Sequence, residues 1–147
     1  MSEVFLKEPQ HLSHSRDIIH CHPYLRERWP KLVYLYQQET SGDLIITCTW
    51  RSAFEQKRLY ALGRTEPGQI VTQIDGTTRR SNHNVYPARA LDVAVNIDPQ
   101  AVKPLITWQE DYYRPLGKIC EKLGLVWGGS WTKFPDMPHI ELPSGIV

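Results

Sequence analysis

The stretch that decides the fold reads Ala-Leu-Asp-Val-Ala-Val-Asn-Ile, at residues 90–97. Its apolar and β-branched composition predicts a buried strand. Asp92 stands inside this strand, and a carboxylate in a buried strand is costly unless it is ion-paired or binds a metal. The stretch therefore predicts a structural strand that also carries a functional or paired carboxylate.

The flanking segments predict further helices and one more short strand. Helices are predicted at residues 23–39, 53–62 and 109–123, from apolar residues every three or four positions or from helix-capping residues. Residues 44–50 predict a second buried strand. Pro30 predicts that the first helix either begins near it or kinks there. Ser52 and Glu55 have the spacing of a capping box, and residues 65–80 predict a loop or a weak hairpin. The pattern predicts a compact α+β domain.

Length and charge narrow the class of protein. A chain of 147 residues predicts a single domain over residues 1–147. Seventeen basic and sixteen acidic side chains give a net charge of +1, which argues against a dedicated nucleic-acid binder. A nucleic-acid-binding alternative has only the adjacent Arg79 and Arg80 to support it. Three widely spaced cysteines do not predict a disulfide framework.

The first 22 residues predict a polar N-terminal arm. Residues 1–10, which include Glu3, contain no apolar core of a signal peptide, and no stretch of the chain approaches the roughly 20 apolar residues of a membrane span. We therefore expect synthesis in the cytoplasm without a signal peptide and no stable membrane insertion. Four histidines lie in this arm and are interpreted as solvated side chains: His11, His14, His20 and His22.

Two other histidines stand near carboxylates. His83 lies just before the strand that contains Asp92, and His139 lies near the C-terminal end of the chain. Two histidines and one carboxylate, with an open fourth position, are a ligand set typical of catalytic zinc. Asp136 would then supply a free carboxylate for proton transfer, with Glu141 as the competing candidate. The alternative interpretation is a surface aspartate and a hydrogen-bonded core histidine.

In combination these motifs resemble a known family. The segments are Thr49 to Arg64, Ser81-x-His83…Asp92, Trp127-Gly-Gly-Ser-Trp131 and Asp136-x-x-His139-x-Glu141. They are similar to the D-Ala-D-Ala carboxypeptidase and L-alanyl-D-glutamate endopeptidase group of zinc metallopeptidases. This group shares a fold with lysostaphin-type enzymes and the hedgehog signalling domain, so the resemblance implies a small antiparallel sheet with flanking helices.

The resemblance covers residues 23–142 and has one departure. Eight residues separate His83 from Asp92, whereas the commoner family pattern has six, with a glycine among them. Pro87 and Ala88 occupy the middle of this longer segment. Both ligands are nevertheless carried over, because some relatives have this variant.

The resemblance also implies roles for individual residues. His83, Asp92 and His139 would bind one Zn²⁺. Asp136 would be the general base that takes a proton from the attacking water and passes it to the leaving amine. Arg51 would stabilise the negative charge on the scissile carbonyl oxygen. Ser81 and Gln56 would line the substrate cleft, and Trp127 and Trp131 are interpreted as wall and core residues.

The implied function is hydrolysis of a peptide bond in the stem peptides of peptidoglycan. The Trp-Gly-Gly and Asp-x-x-His segments favour an L-alanyl-D-glutamate endopeptidase, a monomeric phage or prophage endolysin that reaches the wall after holin-type release. One alternative is a D-Ala-D-Ala carboxypeptidase. Another is a non-catalytic wall-binding or virion module on the same fold.

Overall fold

A computed structural model describes residues 7–147, which form one antiparallel sheet of five short strands and three α-helices. The helices are α1 (Pro23–Glu39), α2 (Ala53–Ala61) and α3 (Pro115–Leu123). The strands are β1 (Asp43–Cys48), β2 (Ala90–Asn96), β3 (Ile106–Thr107), β4 (Val126–Trp127) and β5 (His139–Glu141). This architecture confirms the predicted α+β class with a small antiparallel sheet and flanking helices.

Strand β2 is the centre of the sheet, as its composition predicts. The strand order is β1-β2-β5-β4. On one side β2 pairs with β1 along nearly its whole length. On the other side its first three residues pair with β5 and its last two with β3. A bulge interrupts β1 between Ile46 and Cys48, so that Cys48 pairs with Asp92.

The first two helices begin where the sequence predicts. Nδ1 of His22 accepts the N–H of Tyr24 at 3.0 Å and caps α1, which continues through Pro30 rather than starting there. Oγ of Ser52 accepts the N–H of Glu55 at 3.0 Å, which is one half of the predicted capping box. The Glu55 carboxylate pairs instead with Arg58, so the reciprocal half is absent from this helix start.

The third helix and the first strand are shorter than predicted. A 3-10 turn at Glu110–Tyr112 precedes α3, which begins only at Pro115 because proline lacks an N–H and fits best in the first turn of a helix. Gly124, with φ of 70°, ends α3. Strand β1 ends at Cys48 because the N–H of Thr49 turns to the carbonyl of Ser15. The two-residue strand β3 has no pattern long enough to predict it.

The core lies where α1 and α3 pack together and against the sheet. Fully buried side chains from each layer meet there, including Leu32, Leu116, Val93 and Ile140. The buried tyrosines Tyr36 and Tyr113 both keep their hydroxyl groups hydrogen-bonded, as burial requires. The Tyr113 hydroxyl accepts the N–H of Val95 at 3.0 Å and donates to the carbonyl of Thr107 at 2.8 Å. Tyr113 therefore ties α3 to the sheet.

The described part of the N-terminal segment packs on the domain. Ser15 is buried, and its N–H and carbonyl bond to Trp50 and Thr49. Cys21 is buried in the core, and of the four histidines interpreted as solvated only His11 is exposed. That interpretation is wrong for His20 and His22, which are half-buried and hydrogen-bonded to Ser15 and to the start of α1. Residues 1–6, which include Glu3 and on which the prediction about a signal peptide partly rests, lie outside the described residues.

The segment between α2 and β2 contains no helix or strand at residues 63–89. This confirms the predicted loop at residues 65–80. Within residues 7–147, no helix has the length and apolar character needed to cross a membrane.

Candidate active site

Three predicted metal ligands meet at the middle of the sheet. The pairing of β2 with β5 places Asp92 directly opposite His139. Oδ1 of Asp92 lies 3.1 Å from Nδ1 of His139 and 3.2 Å from Nε2 of His83, which comes from the loop before β2. The two imidazole rings stand edge to face with centroids 5.1 Å apart. The longer segment between His83 and Asp92 therefore still brings the two side chains together.

Each imidazole is held at its other nitrogen by a hydrogen-bond acceptor. Nδ1 of His83 lies 2.7 Å from the carbonyl oxygen of Thr49, and Nε2 of His139 lies 2.7 Å from Oε1 of Glu141. In a neutral imidazole an acceptor fixes the proton on the nitrogen that it faces. The nitrogens that face Asp92 then carry lone pairs. Two such imidazoles and one carboxylate fit the donor set of a catalytic zinc ion.

The side chains of this cluster shift one another's pKa values. Burial opposes the ionised form of Asp92, but the charge of His83 and hydrogen bonds from both histidines hold its pKa well below the usual range. Burial lowers the pKa of His83, yet the charge of Asp92 and its hydrogen bond prevail and raise the pKa to about 10. The pKa of His139 is also raised, because hydrogen bonds to Asp92 and Glu141 outweigh its burial. Both imidazoles thus hold a proton more firmly than free histidine does, so a metal cation at this site would compete with protons.

Asp136 lies beside this cluster without joining its hydrogen bonds. Its Oδ2 is 4.0 Å from Nδ1 of His139, and its side chain is 39% exposed. Burial raises the pKa of Asp136, and the nearby charge of Asp92 raises it further. A carboxylate in this position, open to solvent and close to the ligand nitrogens, can accept a proton from a water molecule at the site.

Glu141 occupies the opposite position relative to the His139 ring. Its Oε1 faces Nε2 of His139, the nitrogen that points away from Asp92, and its Oε2 accepts a hydrogen bond from Asn82 at 2.8 Å. Oε1 therefore orients the ring, and the bond from Asn82 to Oε2 holds the carboxylate in place. This geometry favours Asp136 over Glu141 as the group available for proton transfer.

Arg51 follows β1 and points back towards the cluster. Its Nη2 donates to Oδ2 of Asp92 at 3.4 Å, and its Nη1 donates to Oε1 of Gln56 at 2.9 Å. Gln56 is fully buried and is not on the cleft surface. Its Nε2 donates to the carbonyl of Ile74 at 2.9 Å and to Oγ1 of Thr72 at 3.3 Å. Instead of the expected contact with substrate, Gln56 holds Arg51 and the loop that faces it.

Ser81 lines the cleft and also shapes the turn that presents His83. Its Oγ accepts the N–H of His83 at 3.2 Å, and its own N–H donates to Oδ1 of Asn84 at 2.8 Å. Asn84 donates from Nδ2 to the carbonyl of Arg51 at 3.0 Å, and the N–H of Arg51 donates to the carbonyl of His83 at 2.8 Å. This reciprocal bonding fixes the backbone of His83 against that of Arg51.

These residues open into a cleft of about 680 Å³. The metal-ligand cluster forms its floor, and the loop between α2 and β2 forms one wall. Trp131 and Phe134 line it from the segment before β5, and the Trp131 ring lies 5.0 Å from that of His139. Trp127 is only partly exposed, and its Nε1 donates to the carbonyl of Met137 at 2.7 Å.

Gly128 lies in the tightest part of this wall. A Cβ at this position would meet the backbone oxygen of Asp136 at 2.5 Å and Cβ of His139 at 3.0 Å. The N–H of Asp136 donates to the carbonyl of Gly128 at 3.0 Å. The glycine thus allows the segment that carries Asp136 to pack directly against the strand that carries His139.

Sequence reasoning missed three groups at the site, which are Cys48, the carbonyl of Thr49 and Asn82. Cys48 reads as a core residue, but its Sγ lies 3.8 Å from Nδ1 of His83 and accepts from Nη2 of Arg51 at 3.6 Å. The carbonyl oxygen of Thr49 has no sequence signal at all, because every residue has one. Asn82 could have been found, since it stands between Ser81 and His83 in the motif.

Comparisons with known proteins agree with this geometry. Residues 75–142 match a family model described as D-alanyl-D-alanine carboxypeptidase, of the M15 peptidases. Over 109 residues the chain is 34% identical to the peptidoglycan L-alanyl-D-glutamate endopeptidase CwlK of Bacillus subtilis (strain 168). The alignment covers 68% of this chain and 60% of the relative, so the chain spans less than two thirds of that protein's length.

A solved structure has the same fold. The L-Ala D-Glu endopeptidase ChiX of Serratia marcescens superposes with a TM-score of 0.59 at 22% sequence identity. The match covers 84% of this chain and 81% of the other. The predicted resemblance in fold is thereby confirmed.

Proposed function

We propose that this chain contains a peptidase domain of the M15 family and is a zinc-dependent endopeptidase of peptidoglycan stem peptides. The bond we assign is the one between L-alanine and D-glutamate. The relatives named above are described as cutting this bond, and the Trp-Gly-Gly and Asp-x-x-His segments of this chain support the same assignment.

One observation carries the proposal. His83, Asp92 and His139 converge on a single point at the floor of an open cleft, with Asp136 beside them. A purely structural cluster has no need of an open cleft lined by further charged side chains, and this cluster lies at the base of one. The convergence of a metal-ligand set, a free carboxylate and a guanidinium in one cleft is what hydrolysis of an amide requires.

The residues of the chain have distinct tasks in this proposal. Zinc bound by His83, Asp92 and His139 supplies Lewis-acid chemistry, which makes water a nucleophile near neutral pH and polarises a carbonyl group. Asp136 accepts a proton from the attacking water and returns it to the departing amine nitrogen. The Arg51 guanidinium, which lies at the cleft beside Asp92, would donate to the oxygen on which negative charge develops. Ser81 lines the substrate cleft.

The decisive experiment is digestion of purified peptidoglycan by the purified, zinc-loaded protein, followed by mass analysis of the fragments. New C-terminal L-alanine and N-terminal D-glutamate are expected. His139→Ala protein should contain no zinc and release no fragment, whereas His11→Ala, at an exposed position outside the cleft, should retain both. Absence of new termini with fully zinc-loaded protein would contradict the proposal.

A second candidate has a specific observation in its favour. The matching family model is described by carboxypeptidase activity. Release of free D-alanine from a pentapeptide, without new D-glutamate amino termini, would assign this activity instead. Zinc loading without any cleavage would favour a non-catalytic wall-binding or virion module.

We also propose that the protein acts as a monomeric phage or prophage endolysin on the bacterial wall. This part of the proposal rests on the resemblance of its motifs to endolysins. Expression in a bacterial host together with a holin should cause lysis, and expression of the Asp136→Ala variant with the same holin should not. Equal lysis by both variants would contradict the endolysin role.

A further inference from the structure

Two arginines of the cleft have no part in the function proposed so far. The cationic side chains that line the cleft are Arg51, Arg79 and Arg80. Arg51 is bonded to Asp92 and Gln56. For the side chains of Arg79 and Arg80, residues 7–147 provide neither an ion pair nor a hydrogen bond, and both residues are exposed.

The backbone beneath these two arginines is fixed. Oδ1 of Asp75 accepts the N–H groups of Thr77, Thr78 and Arg79 at 2.9–3.1 Å. The carbonyl of Arg79 accepts the N–H of Gly76 at 2.9 Å, and on the other side of Arg80 the N–H of Ser81 is bonded to Asn84. The guanidinium groups are thus carried on a built turn, three and four residues before His83, rather than on a free loop.

The positions of the charges in the cleft indicate what this turn binds. The floor carries three carboxylates, Asp92, Asp136 and Glu141, while the wall carries two guanidinium groups without protein partners. The net charge of the chain is only +1, so the pair is not part of a general basic surface. On the floor the charge of Asp92 is met by His83, His139 and Arg51, whereas the guanidinium groups of Arg79 and Arg80 are free to attract an anionic group of the substrate and so set its orientation.

We infer that Arg79 and Arg80 bind the carboxylate of the substrate residue that supplies the scissile nitrogen. This inference rests on the proposed function and names the group by which the substrate is selected. A glutamyl residue has two carboxyl groups, and at most one of them continues the peptide chain, so the other remains as a charge close to the cleaved bond. Guanidinium groups pair with such a carboxylate through two parallel hydrogen bonds.

The same chemistry could come from a second source. In a D-Ala-D-Ala terminus, the residue that supplies the scissile nitrogen carries the terminal carboxylate. Two pairs of soluble peptides distinguish the sources. The first pair contains L-Ala–D-Glu with the free glutamyl carboxylate either as the acid or as the amide. The second pair ends in D-Ala-D-Ala, again as the acid or as the amide.

The experiment measures kcat/KM of the zinc-loaded protein on each peptide. We expect the glutamyl acid to be preferred over its amide by about 10–100-fold, the range of a hydrogen bond to a charged group. The double substitution Arg79→Ala/Arg80→Ala should reduce this preference to near unity by slowing cleavage of the acid alone. Arg114→Ala, which removes an exposed arginine outside the cleft, should leave the preference unchanged.

A binding measurement keeps this inference separable from the proposed function. Equilibrium binding of both glutamyl peptides to the Asp136→Ala variant should show the same preference for the acid, and its loss on adding the double substitution. Equal binding of acid and amide by the variant with intact arginines would overturn the inference, whatever the turnover shows. A preference that is confined to the D-Ala-D-Ala pair would overturn the glutamyl assignment, and one that survives the double substitution would overturn the role of the arginines.

Discussion

Oε1 of Glu141 lies 2.7 Å from Nε2 of His139, while Nδ1 of the same ring faces Oδ1 of Asp92 at 3.1 Å. The two carboxylates thus hold opposite nitrogens of one imidazole. Outer carboxylates that fix a ligand histidine in this way raise its basicity and fix its tautomer. This contact distinguishes Glu141 from Asp136, five positions earlier in the sequence, because the Asp136 carboxylate makes no hydrogen bond to the ring.

Glu141→Ala should weaken zinc binding by about 10–100-fold, the usual effect of losing an outer partner of a ligand histidine. Glu141→Gln should lose less, since its amide oxygen can still accept from Nε2. Competition with a chelator of known affinity measures both. If Glu141→Ala abolishes turnover while zinc affinity is unchanged, the general base is Glu141 rather than Asp136.

Asp136→Ala should retain zinc and the fold but lose about 10²–10⁴-fold in kcat, the typical contribution of general-base assistance. The side chain is partly exposed and makes no contact that holds the core, so the melting temperature should change little. Kinetics on a soluble muropeptide, with zinc content measured on the same sample, provide the comparison. Near-normal turnover would exclude Asp136 from proton transfer.

Arg51→Ala should lower kcat by about 10²–10³-fold, the scale for losing one oxyanion donor. Arg51→Lys should recover only part of this, because an ammonium is a point charge on a flexible stem. Zinc content should stay near one equivalent in both variants. A raised KM with unchanged kcat would place the contact of Arg51 in the ground state instead of the transition state.

Zinc affinity should keep rising with pH above neutrality. The pKa of His83 is raised to about 10, so this imidazole holds a proton at pH 7 that zinc must displace, and the pKa of His139 is raised as well. Asp92, with a lowered pKa, is already ionised and contributes no proton. Each displaced proton costs about tenfold in affinity per unit of falling pH. Titrations at pH 6, 7, 8 and 9 measure the slope, and a plateau from pH 7 upward would contradict these pKa directions.

Gly128→Ala should impair the enzyme without touching substrate. The added methyl group meets backbone of Asp136 and Cβ of His139, and such overpacking costs about 1–3 kcal/mol of unfolding free energy. Because the displaced segment carries Asp136, kcat should fall together with the melting temperature. Gly145→Ala is the matched control, since nothing lies within 4 Å of its added methyl group.

The sequence predicts the central strand and two of the helices well, because their signals are local. Asp92 within an apolar stretch indicates both the strand and its chemistry, and Ser52 indicates the start of α2. The sequence pattern predicts a start of α3 that is too early, since the residues before Pro115 form a 3-10 turn. Strand β3 depends on pairing with the end of β2, which no two-residue pattern can indicate.

In the candidate site, too, some features can be predicted from local sequence and others depend on distant segments. The residue types of His83, Asp92 and His139 can be read from motifs, whereas the direction of each ring depends on partners from other segments. The carbonyl of Thr49 and the carboxylate of Glu141 set these directions, and neither has a periodicity of its own. Gln56 is the clearest example of what the sequence does not predict. Its motif indicates a place near Arg51, but only the structure shows that it is buried and supports the cleft instead of lining it.

The hydrogen bonds of Gln56 affect which parts of the cleft can change in sequence without loss of the fold. Gln56 reaches Arg51 on one side and the cleft wall on the other, and its shorter bond to the wall is to the backbone carbonyl of Ile74. Any amino acid supplies that carbonyl, so the wall can accumulate substitutions while its attachment persists. The floor of the cleft rests on paired strands, whereas this wall is a loop without helix or strand. If the proposed function holds, such an arrangement would let the loop change its substrate contacts while the strands of the floor keep their pairing.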